Sequence, residues 1–142
     1  EEVEKAIAAA KENDETFAII YFDLNHFKTV NDTLGHEIGD ELLKYVAART
    51  ASILRKPDIA ARLGGDEFAA LIHNCDKEQI SLVIERISEN ARRPFKIGEQ
   101  TLVADLSIGA ALYPEDGKSL TELLRRADAE MYLAKRGGEI YN

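Results

Sequence analysis

The residues best suited to chemistry are two consecutive carboxylates that follow a pair of glycines. Asp66 and Glu67 come directly after Gly64 and Gly65. The flanking runs are apolar and predict two strands, residues 58–63 and 68–72. A Gly-Gly pair between such runs predicts a tight hairpin turn with positive φ at both central residues, and glycine also lets a ligand approach the backbone closely. The hairpin presents its carboxylates to a cation or a phosphate, or else, equally well from this segment alone, to solvent.

A third carboxylate, Asp23, ends an apolar run at residues 17–22. That run is rich in strand formers and predicts a central strand buried on both faces. If this strand neighbours the hairpin, Asp23 and Asp66 lie at one edge of the sheet, where hard oxygen ligands suit Mg²⁺ with bound phosphates. Two such ions can activate an attacking hydroxyl and stabilise a leaving pyrophosphate. Taken alone, Asp23 also fits a turn cap after the strand, and Glu67 a solvent-facing strand residue.

Polar side chains that suit a nucleotide follow the first strand. They are Lys28, Asn31, His36 and Asp40. An Asn amide and an Asp carboxylate can together hydrogen-bond the edge of guanine. The spacing lets Asn31 lie in a loop and Asp40 in the first turn of a helix. An Asn such as Asn31 is equally typical of a turn, and an acidic residue such as Asp40 is common in the first turn of a helix, where the helix dipole favours it. Spacing alone therefore leaves both interpretations open.

The elements that must position these side chains alternate between helices and strands. Helical periodicity covers residues 2–11 and, more clearly, 37–54, whereas the polar segment after Asp23 predicts no regular element. Asp76 caps a helix that stops before Pro94. Hairpins between helices predict an α+β fold with a central, mainly antiparallel sheet flanked by helices.

The last third of the chain predicts one long strand, one helix and a short edge strand. Residues 101–113 are strand-like, with Gly109 marking a bulge or a close approach. Ser119 and Glu122 form a capping-box pattern before a final amphipathic helix. We expect that helix to end at residues 137–138, two glycines, and residues 140–141 to form a short edge strand.

Composition limits the possible partners. The chain has 142 residues, which suits one domain, and a net charge of −8 from 26 acidic and 18 basic residues, which argues against a nucleic-acid partner. No apolar run approaches the roughly 20 residues that span a bilayer, so we expect no membrane contact by this domain. Cys75 is the only cysteine, which excludes an internal disulfide and suits a reducing cytoplasm.

Several motifs occur in the order found in a known family. Residues 22–28 (FDLNHFK), 31–40 (NDTLGHEIGD) and 62–68 (RLGGDEF) resemble the GGDEF domain of diguanylate cyclases, and the later segments LSIG, AD and MYLAK match further motifs, at residues 106–109, 127–128 and 131–135. The resemblance implies a nucleotidyl-cyclase- or polymerase-palm-like fold with a ferredoxin-like core. It also implies condensation of two GTP into cyclic di-GMP, a bacterial second messenger, with release of two pyrophosphates.

The resemblance implies a role for each carboxylate and for the guanine-reading side chains. Asp23, Asp66 and the Leu24 carbonyl would hold Mg²⁺ or Mn²⁺, and Asp66 or Glu67 would help to deprotonate the attacking 3′-hydroxyl. Asn31 and Asp40 would bind guanine, with His36 nearby in the substrate site.

The phosphate-binding groups are implied in the same way. Lys28 and Lys135 would contact the phosphates together with the backbone amides of His26 and Phe27. Gly64 and Gly65 would make room for the nucleotide. Since each domain binds one GTP, catalysis would need a homodimer in which two copies face each other.

A further family feature is an RxxD inhibitory motif just upstream of the hairpin. Arg55 and Asp58 occupy it, and Arg86 lies where a further product-binding arginine is expected. Arginine forks suit phosphate and guanine edges, which implies inhibition by cyclic di-GMP. The alternative is a C-terminal helix arginine complementing the dipole, followed by a proline-containing turn.

Two departures from the family pattern affect the expected function. The usual opening segment D-x-L-T-G-L-x-N-R is missing, so we expect residues 1–142 to be a single domain excised from a longer protein with attached sensor or effector domains. Glu139 stands where the family usually has a phosphate-contacting arginine. The alternative function is therefore a non-catalytic domain that senses GTP or cyclic di-GMP and signals to an attached domain. Either function indicates the cytoplasm, including the cytoplasmic part of a membrane-anchored protein.

Overall fold

The computed structural model describes the backbone of residues 2–141 and the side chains of that range except Glu2, Val3, Ala6 and residues 136–141. The described chain alternates helices with strands in the order α1 (Glu2–Asn13), β1 (Phe17–Leu24), α2 (Phe27–Leu34), α3 (His36–Ile53), β2 (Ile59–Gly64), β3 (Glu67–His73), α4 (Lys77–Arg92), β4 (Phe95–Ile97), β5 (Gln100–Leu102), β6 (Leu106–Tyr113) and α5 (Leu120–Tyr141). No helix in this described range is both long and apolar enough to cross a bilayer.

The main sheet has the strand order β2-β3-β1-β6, and every pairing in it is antiparallel. The predicted central position of β1 is confirmed, because it is hydrogen-bonded on both sides. Phe22 lies opposite Phe68, and their rings stack with centroids 5.3 Å apart. Such cross-strand aromatic pairs fix the register of a sheet. In that register the next pair along is Asp23 opposite Glu67.

Helices cover both faces of the sheet, which confirms the predicted α+β class. On one face, α3 and α4 pack their apolar stripes on alternate residues of β1, including Ile20 and Phe22. On the other face, α1 and α5 pack against the intervening residues, including Phe17 and Ile19. This alternation places Asp23 on the α5 face of the sheet, because side chains two apart along a strand share a face.

The expected irregular segment after Asp23 was wrong, because residues 27–34 form α2. Phe27 and Val30 pack against the core cluster on the α3 side of the sheet. Their spacing is helical, and burial of these side chains outweighs the turn preference of Asn31 and Asp32.

The hairpin turn lies one residue later than the sequence predicts. Gly64 is the last residue of β2, and the two residues between the strands are Gly65 and Asp66. Both glycines have positive φ, +153° at Gly64 and +51° at Gly65, and the register shifts after Arg62. Because of this register shift, Gly64 belongs to β2, and Asp66 lies in the turn itself rather than after it.

The capping predictions are confirmed at both later helices. Asp76 accepts a hydrogen bond from the Gln79 N–H at the start of α4, and Ser119 Oγ accepts one from the Glu122 N–H before α5. Gly109 is a site of close approach, since a Cβ there would lie 2.0 Å from the Ala127 carbonyl oxygen.

The end of the chain and the strand at 101–113 differ from expectation. The strand divides into β5 and β6, separated by residues 103–105. The predicted helix stop at residues 137–138 was wrong, and so was the strand at 140–141, because α5 continues to Tyr141. Glycine costs about 1 kcal/mol in a helix relative to alanine without forbidding helical dihedrals, so an established helix can extend through it.

Candidate active site

Three carboxylates meet where β1 ends beside the hairpin. Asp23 and Glu67 are cross-strand partners, and Asp66 lies in the adjoining turn. The Leu24 N–H donates to the Asp66 carbonyl oxygen at 3.3 Å, which fastens the turn to the end of β1. The structure therefore brings together the residues that the sequence assigned to a metal and to proton transfer, although they are separated by more than forty positions in the chain.

The Asp23 carboxylate is buried and only half satisfied. Its side chain accepts a hydrogen bond from Lys135 Nζ, 3.1 Å from Oδ2, whereas its Oδ1 has no hydrogen-bond partner among the residues that the structure describes. Burial raises the pKa of Asp23, the Lys135 ammonium opposes that rise, and the nearby charges of Asp66 and Glu67 add to it. Among the described side chains that influence Asp23, the two further carboxylates of Asp66 and Glu67 outnumber the single cation, Lys135.

The donor set at this corner fits a hard divalent cation. Among the described side chains there is no group of three or more His, Cys, Asp or Glu that could hold a metal unaided. Mg²⁺ does not need one, because it is usually bound through one or two carboxylates and completes its shell with water and substrate phosphates. Asp23 Oδ1, together with an Asp66 carboxylate oxygen and the Leu24 carbonyl oxygen, would supply oxygen ligands of that kind.

Glu67 has a partner that the sequence reasoning missed. The Tyr21 hydroxyl donates to Glu67 Oε2. This hydrogen bond is the main cause that raises the pKa of Tyr21, and burial and the Glu67 charge add to it. Strand alternation could have placed Tyr21 on the Asp23 face, but a partner 46 residues away leaves no local signal.

The segment after β1 offers backbone donors and a cation. His26 has a left-handed conformation with φ of +62°, and α2 begins at the next residue, Phe27. The first N–H groups of a helix have no partners within it and favour anions. Lys28 is exposed in the first turn of α2 and forms no ion pair with the described side chains.

A small network holds this segment against β6, and sequence analysis did not single it out. Asn25 Nδ2 donates to Asp105 Oδ2 at 2.9 Å, and the Asn25 N–H donates to the Asp105 carbonyl oxygen at 2.8 Å. Ser107 Oγ donates to Asn25 Oδ1 at 2.8 Å. These bonds fix the chain between the Leu24 carbonyl and the start of α2.

The two proposed guanine-reading side chains lie around the start of α3. Asn31 packs directly on Gly39, where a Cβ would lie 1.9 Å from Asn31 Oδ1. Asp40 follows Gly39 in the helix and lines a cavity of about 320 Å³ together with Arg62 of β2. His36 is the exposed first residue of α3. The structure thus brings Asn31 beside the Gly39–Asp40 turn.

Arg62 also holds the hairpin turn, a role that sequence analysis did not assign. Its Nε donates to the Gly65 carbonyl oxygen at 2.8 Å. The space beside Gly64 and Gly65 is open, since a Cβ on either residue would meet nothing within 4 Å.

The residues of the RxxD motif line a second cavity, of about 250 Å³, between the end of α3, β3 and α4. Arg55, Asp58 and Arg86 all contribute to its wall, as does Cys75. The Asp58 side chain is buried and accepts a hydrogen bond from the His73 N–H at 2.8 Å, with Arg55 Nε 4.0 Å from its other oxygen. Asp58 therefore bonds to β3 of the hairpin and also forms part of the cavity wall.

Two expectations about phosphate-contacting residues have different outcomes. Lys135 reaches the site but pairs with Asp23 in the structure. Glu139, in place of the family arginine, lies outside the described side chains.

Comparison with known proteins identifies the family. The sequence profile described as diguanylate cyclase, GGDEF domain, matches residues 1–140. The bifunctional diguanylate cyclase/cyclic di-GMP phosphodiesterase MucR of Pseudomonas aeruginosa is 42% identical over 136 residues, which cover 96% of this chain and 20% of MucR. The chain spans no more than a fifth of the length of several curated relatives.

Solved structures agree with this comparison. A truncated TpbB from Pseudomonas aeruginosa that comprises only the GGDEF domain matches with a TM-score of 0.91 and 38% identity, covering 96% of this chain and 80% of that one. The GGDEF domain of DgcB from Caulobacter crescentus, solved in complex with c-di-GMP, matches with a TM-score of 0.87 and 32% identity, covering 96% and 82%. The profile, the relatives and the fold agree that this chain belongs to the GGDEF domain family of diguanylate cyclases.

Proposed function

We propose that this domain is a diguanylate cyclase, which condenses two GTP into cyclic di-GMP and releases two pyrophosphates. The observation that carries the proposal is the buried Asp23 carboxylate, whose Oδ1 has no partner in the described part of the chain, beside Asp66 and Glu67 at the end of β1. A structural role alone does not account for it, because a buried, half-satisfied carboxylate among like charges costs free energy.

Binding of GTP follows from the groups around this corner. Asn31 and Asp40 hydrogen-bond the guanine edge, with His36 at the rim of the same region, and Gly64 and Gly65 leave the hairpin open to the nucleotide. Lys28 and the backbone amides of His26 and Phe27 bind the triphosphate at the N-terminus of α2. Lys135 exchanges its contact with Asp23 for the phosphates when the nucleotide is bound.

The carboxylates divide between metal binding and proton transfer. Asp23, Asp66 and the Leu24 carbonyl hold Mg²⁺ or Mn²⁺, and Mg²⁺ is typical of the family. When bound, the cation supplies charge stabilisation at the reacting phosphate. Asp66 or Glu67 accepts the proton of the 3′-hydroxyl as its oxygen forms a bond to the α-phosphorus of the second GTP, while the bond from that phosphorus to pyrophosphate breaks.

The reaction needs two copies of the chain. Each domain binds one GTP, and cyclic di-GMP contains two new phosphodiester bonds, so two sites must face each other across a two-fold axis. The relatives are much longer proteins, and we propose that attached sensor or effector domains control this pairing in the cytoplasm.

Dimer-dependent turnover tests the proposal. With GTP and Mg²⁺, product formation per domain should rise with protein concentration and reach a plateau when the domain is fused to a dimerising partner. Asp66→Asn should abolish product in the same fusion while circular dichroism remains unchanged. Turnover that is independent of concentration, or that survives Asp66→Asn, would contradict the proposal.

Product inhibition at the second cavity is part of the proposal. Cyclic di-GMP binds to Arg55 and Arg86, whose guanidinium groups line this cavity with Asp58. The variant to use is Arg55→Ala, since Arg55 is exposed whereas Asp58 is buried and supports β3. We expect Arg55→Ala to weaken inhibition at least tenfold without changing the initial rate, and Arg93→Ala, an exposed arginine beyond α4, to leave inhibition unchanged.

The alternative function is a non-catalytic sensor of GTP or cyclic di-GMP. One observation favours it, the ion pair that Lys135 makes with Asp23, because the ammonium already supplies this carboxylate with a cation in place of a metal. Tight nucleotide binding by calorimetry without turnover in a stable dimer would support the sensor.

A further inference from the structure

We propose that Tyr21 is a positioning residue that holds the Glu67 carboxylate for proton transfer from the substrate hydroxyl. The inference rests on the proposed function, and it assigns the proton acceptor to Glu67 rather than to Asp66.

The sheet register puts the two side chains together. Tyr21 is opposite Ala69, and Asp23 is opposite Glu67, so Tyr21 and Glu67 are diagonal neighbours on one face of the β1–β3 pair. Diagonal neighbours lie within reach of long side chains. The Tyr21 hydroxyl donates to Glu67 Oε2. Among the described residues no other hydrogen bond to the Glu67 side chain is made, which leaves Oε1 to a substrate hydroxyl.

Packing holds the ring of Tyr21 in place, and this fixes the position of its hydroxyl. The ring packs against the core cluster that includes Ile19 and Leu71 and lines an apolar cleft beside Leu124 of α5. A tyrosine whose ring is held by apolar neighbours has only its hydroxyl for polar contact. Within the described residues that hydroxyl has one acceptor, the Glu67 carboxylate, which lies next to the proposed metal ligands.

The hydrogen bond determines which oxygen reacts. A carboxylate on an otherwise free side chain rotates among rotamers, and immobilising one oxygen presents the other in a single orientation. Oε1 then takes the 3′-hydroxyl proton as the oxygen–phosphorus bond forms and pyrophosphate leaves.

Kinetics of Tyr21→Phe test this role, because the variant keeps the ring and removes only the hydroxyl. In a dimerising fusion we expect kcat to fall about tenfold, the effect of losing one hydrogen bond to a charged group, with KM for GTP changed less than about twofold. In a Glu67→Asp background, where the carboxylate is shorter by one methylene, Tyr21→Phe should have no further effect. The control is Tyr45→Phe, which removes a hydroxyl bonded to the Lys96 carbonyl far from the site.

A spectroscopic measurement tests the contact without turnover. The ¹³C resonance of the Glu67 carboxyl in metal-free protein should move in Tyr21→Phe and stay in place in Tyr45→Phe. If the wild-type fusion forms product and Tyr21→Phe has an unchanged or higher kcat, the inference is wrong while the proposed function stands. If the wild type forms no product, the proposed function fails, and the catalytic role inferred for Tyr21 fails with it; an unmoved Glu67 resonance refutes the contact in either case.

Discussion

Lys135 Nζ lies 3.1 Å from Asp23 Oδ2, which joins the last helix to the central strand across 112 positions of sequence. The contact compensates one oxygen of a buried carboxylate, and the other oxygen has no partner among the side chains and backbone that the structure describes. The energetically unfavourable charge of Asp23 thus lies where the proposed chemistry needs a metal ligand. Proteins accept such a cost where function requires it.

Asp23→Asn should stabilise the fold and abolish turnover. Burial raises the pKa of Asp23, so its ionised form is disfavoured in the native state at neutral pH, and an amide of the same shape removes that cost. We expect an increase of about 1 kcal/mol in the free energy of unfolding, measured by urea denaturation at pH 7.

Two controls accompany that experiment. Asp14→Asn changes an exposed carboxylate in the same way and should alter stability by less than about 0.5 kcal/mol. Lys135→Met should lower stability, because it leaves the Asp23 charge buried without a cation. A loss of stability in Asp23→Asn would contradict the account of this site.

Gly39→Ala should weaken GTP binding through Asn31. The new Cβ would lie 1.9 Å from Asn31 Oδ1, so the amide must leave its present place. We expect KM for GTP to rise about tenfold or more, the cost of misplacing one base-reading group. Steady-state kinetics in the dimerising fusion provide the measurement.

The same steric clash should also lower the stability of the domain. Gly39→Ala should destabilise the domain, and adding Asn31→Ala should recover part of the loss because the blocking atoms are gone. Strictly additive losses in the double variant would show that Asn31 and Gly39 do not interact as described.

Gly65→Ala should reduce activity, whereas an equivalent change elsewhere should not. Gly65 and Gly98 both occupy turns with left-handed φ, +51° and +61°, and a Cβ meets nothing within 4 Å at either. Each substitution should therefore cost about 1 kcal/mol of backbone strain, measured by thermal unfolding. Only the Gly65 turn carries Asp66, so only Gly65→Ala should lower kcat. Equal kcat values in the two variants would contradict the proposal that the Gly65 turn positions Asp66 for the reaction.

Cys75 should be unreactive in the native domain. Burial raises the pKa of its thiol to about 11 from 9.0, and Asp76 and Asp58 add to the rise. Because the folded state holds the thiol proton more tightly, the contribution of this group to stability is complete below pH 9 and is lost as the pH rises through about 11. A disulfide reagent at pH 8 should react slowly with the native protein and fast with the protein unfolded in urea. Since the chain has one cysteine, the reaction reports on Cys75 alone. Fast reaction without denaturant would contradict the burial of Cys75.

Much of the fold could be predicted because its signals are local. The apolar run of β1, the stripe of α3 and the Asp76 cap each occupy a few consecutive residues and were found with nearly correct limits. The helix α2 was missed because its Asn31-Asp32 pair favours a turn, and only packing of Phe27 and Val30 on the core shows that it is helical.

The site was less predictable, because its contacts join distant positions. The sequence suggested that Asp23 and Asp66 would meet, since strand ends and turns collect at sheet edges. It could not indicate that Tyr21 bonds Glu67 or that Lys135 pairs with Asp23, because neither pair is related by a helical or strand period. Those contacts depend on sheet register and on the packing of α5.

The most direct test of the account is the product formed from GTP and Mg²⁺ by the wild-type domain in a dimerising fusion. Mass spectrometry and a pyrophosphate assay should find cyclic di-GMP and two pyrophosphates for each molecule of it. No cyclic di-GMP from a fusion that is shown to be dimeric and to bind GTP would contradict the proposed catalytic function and favour the sensor.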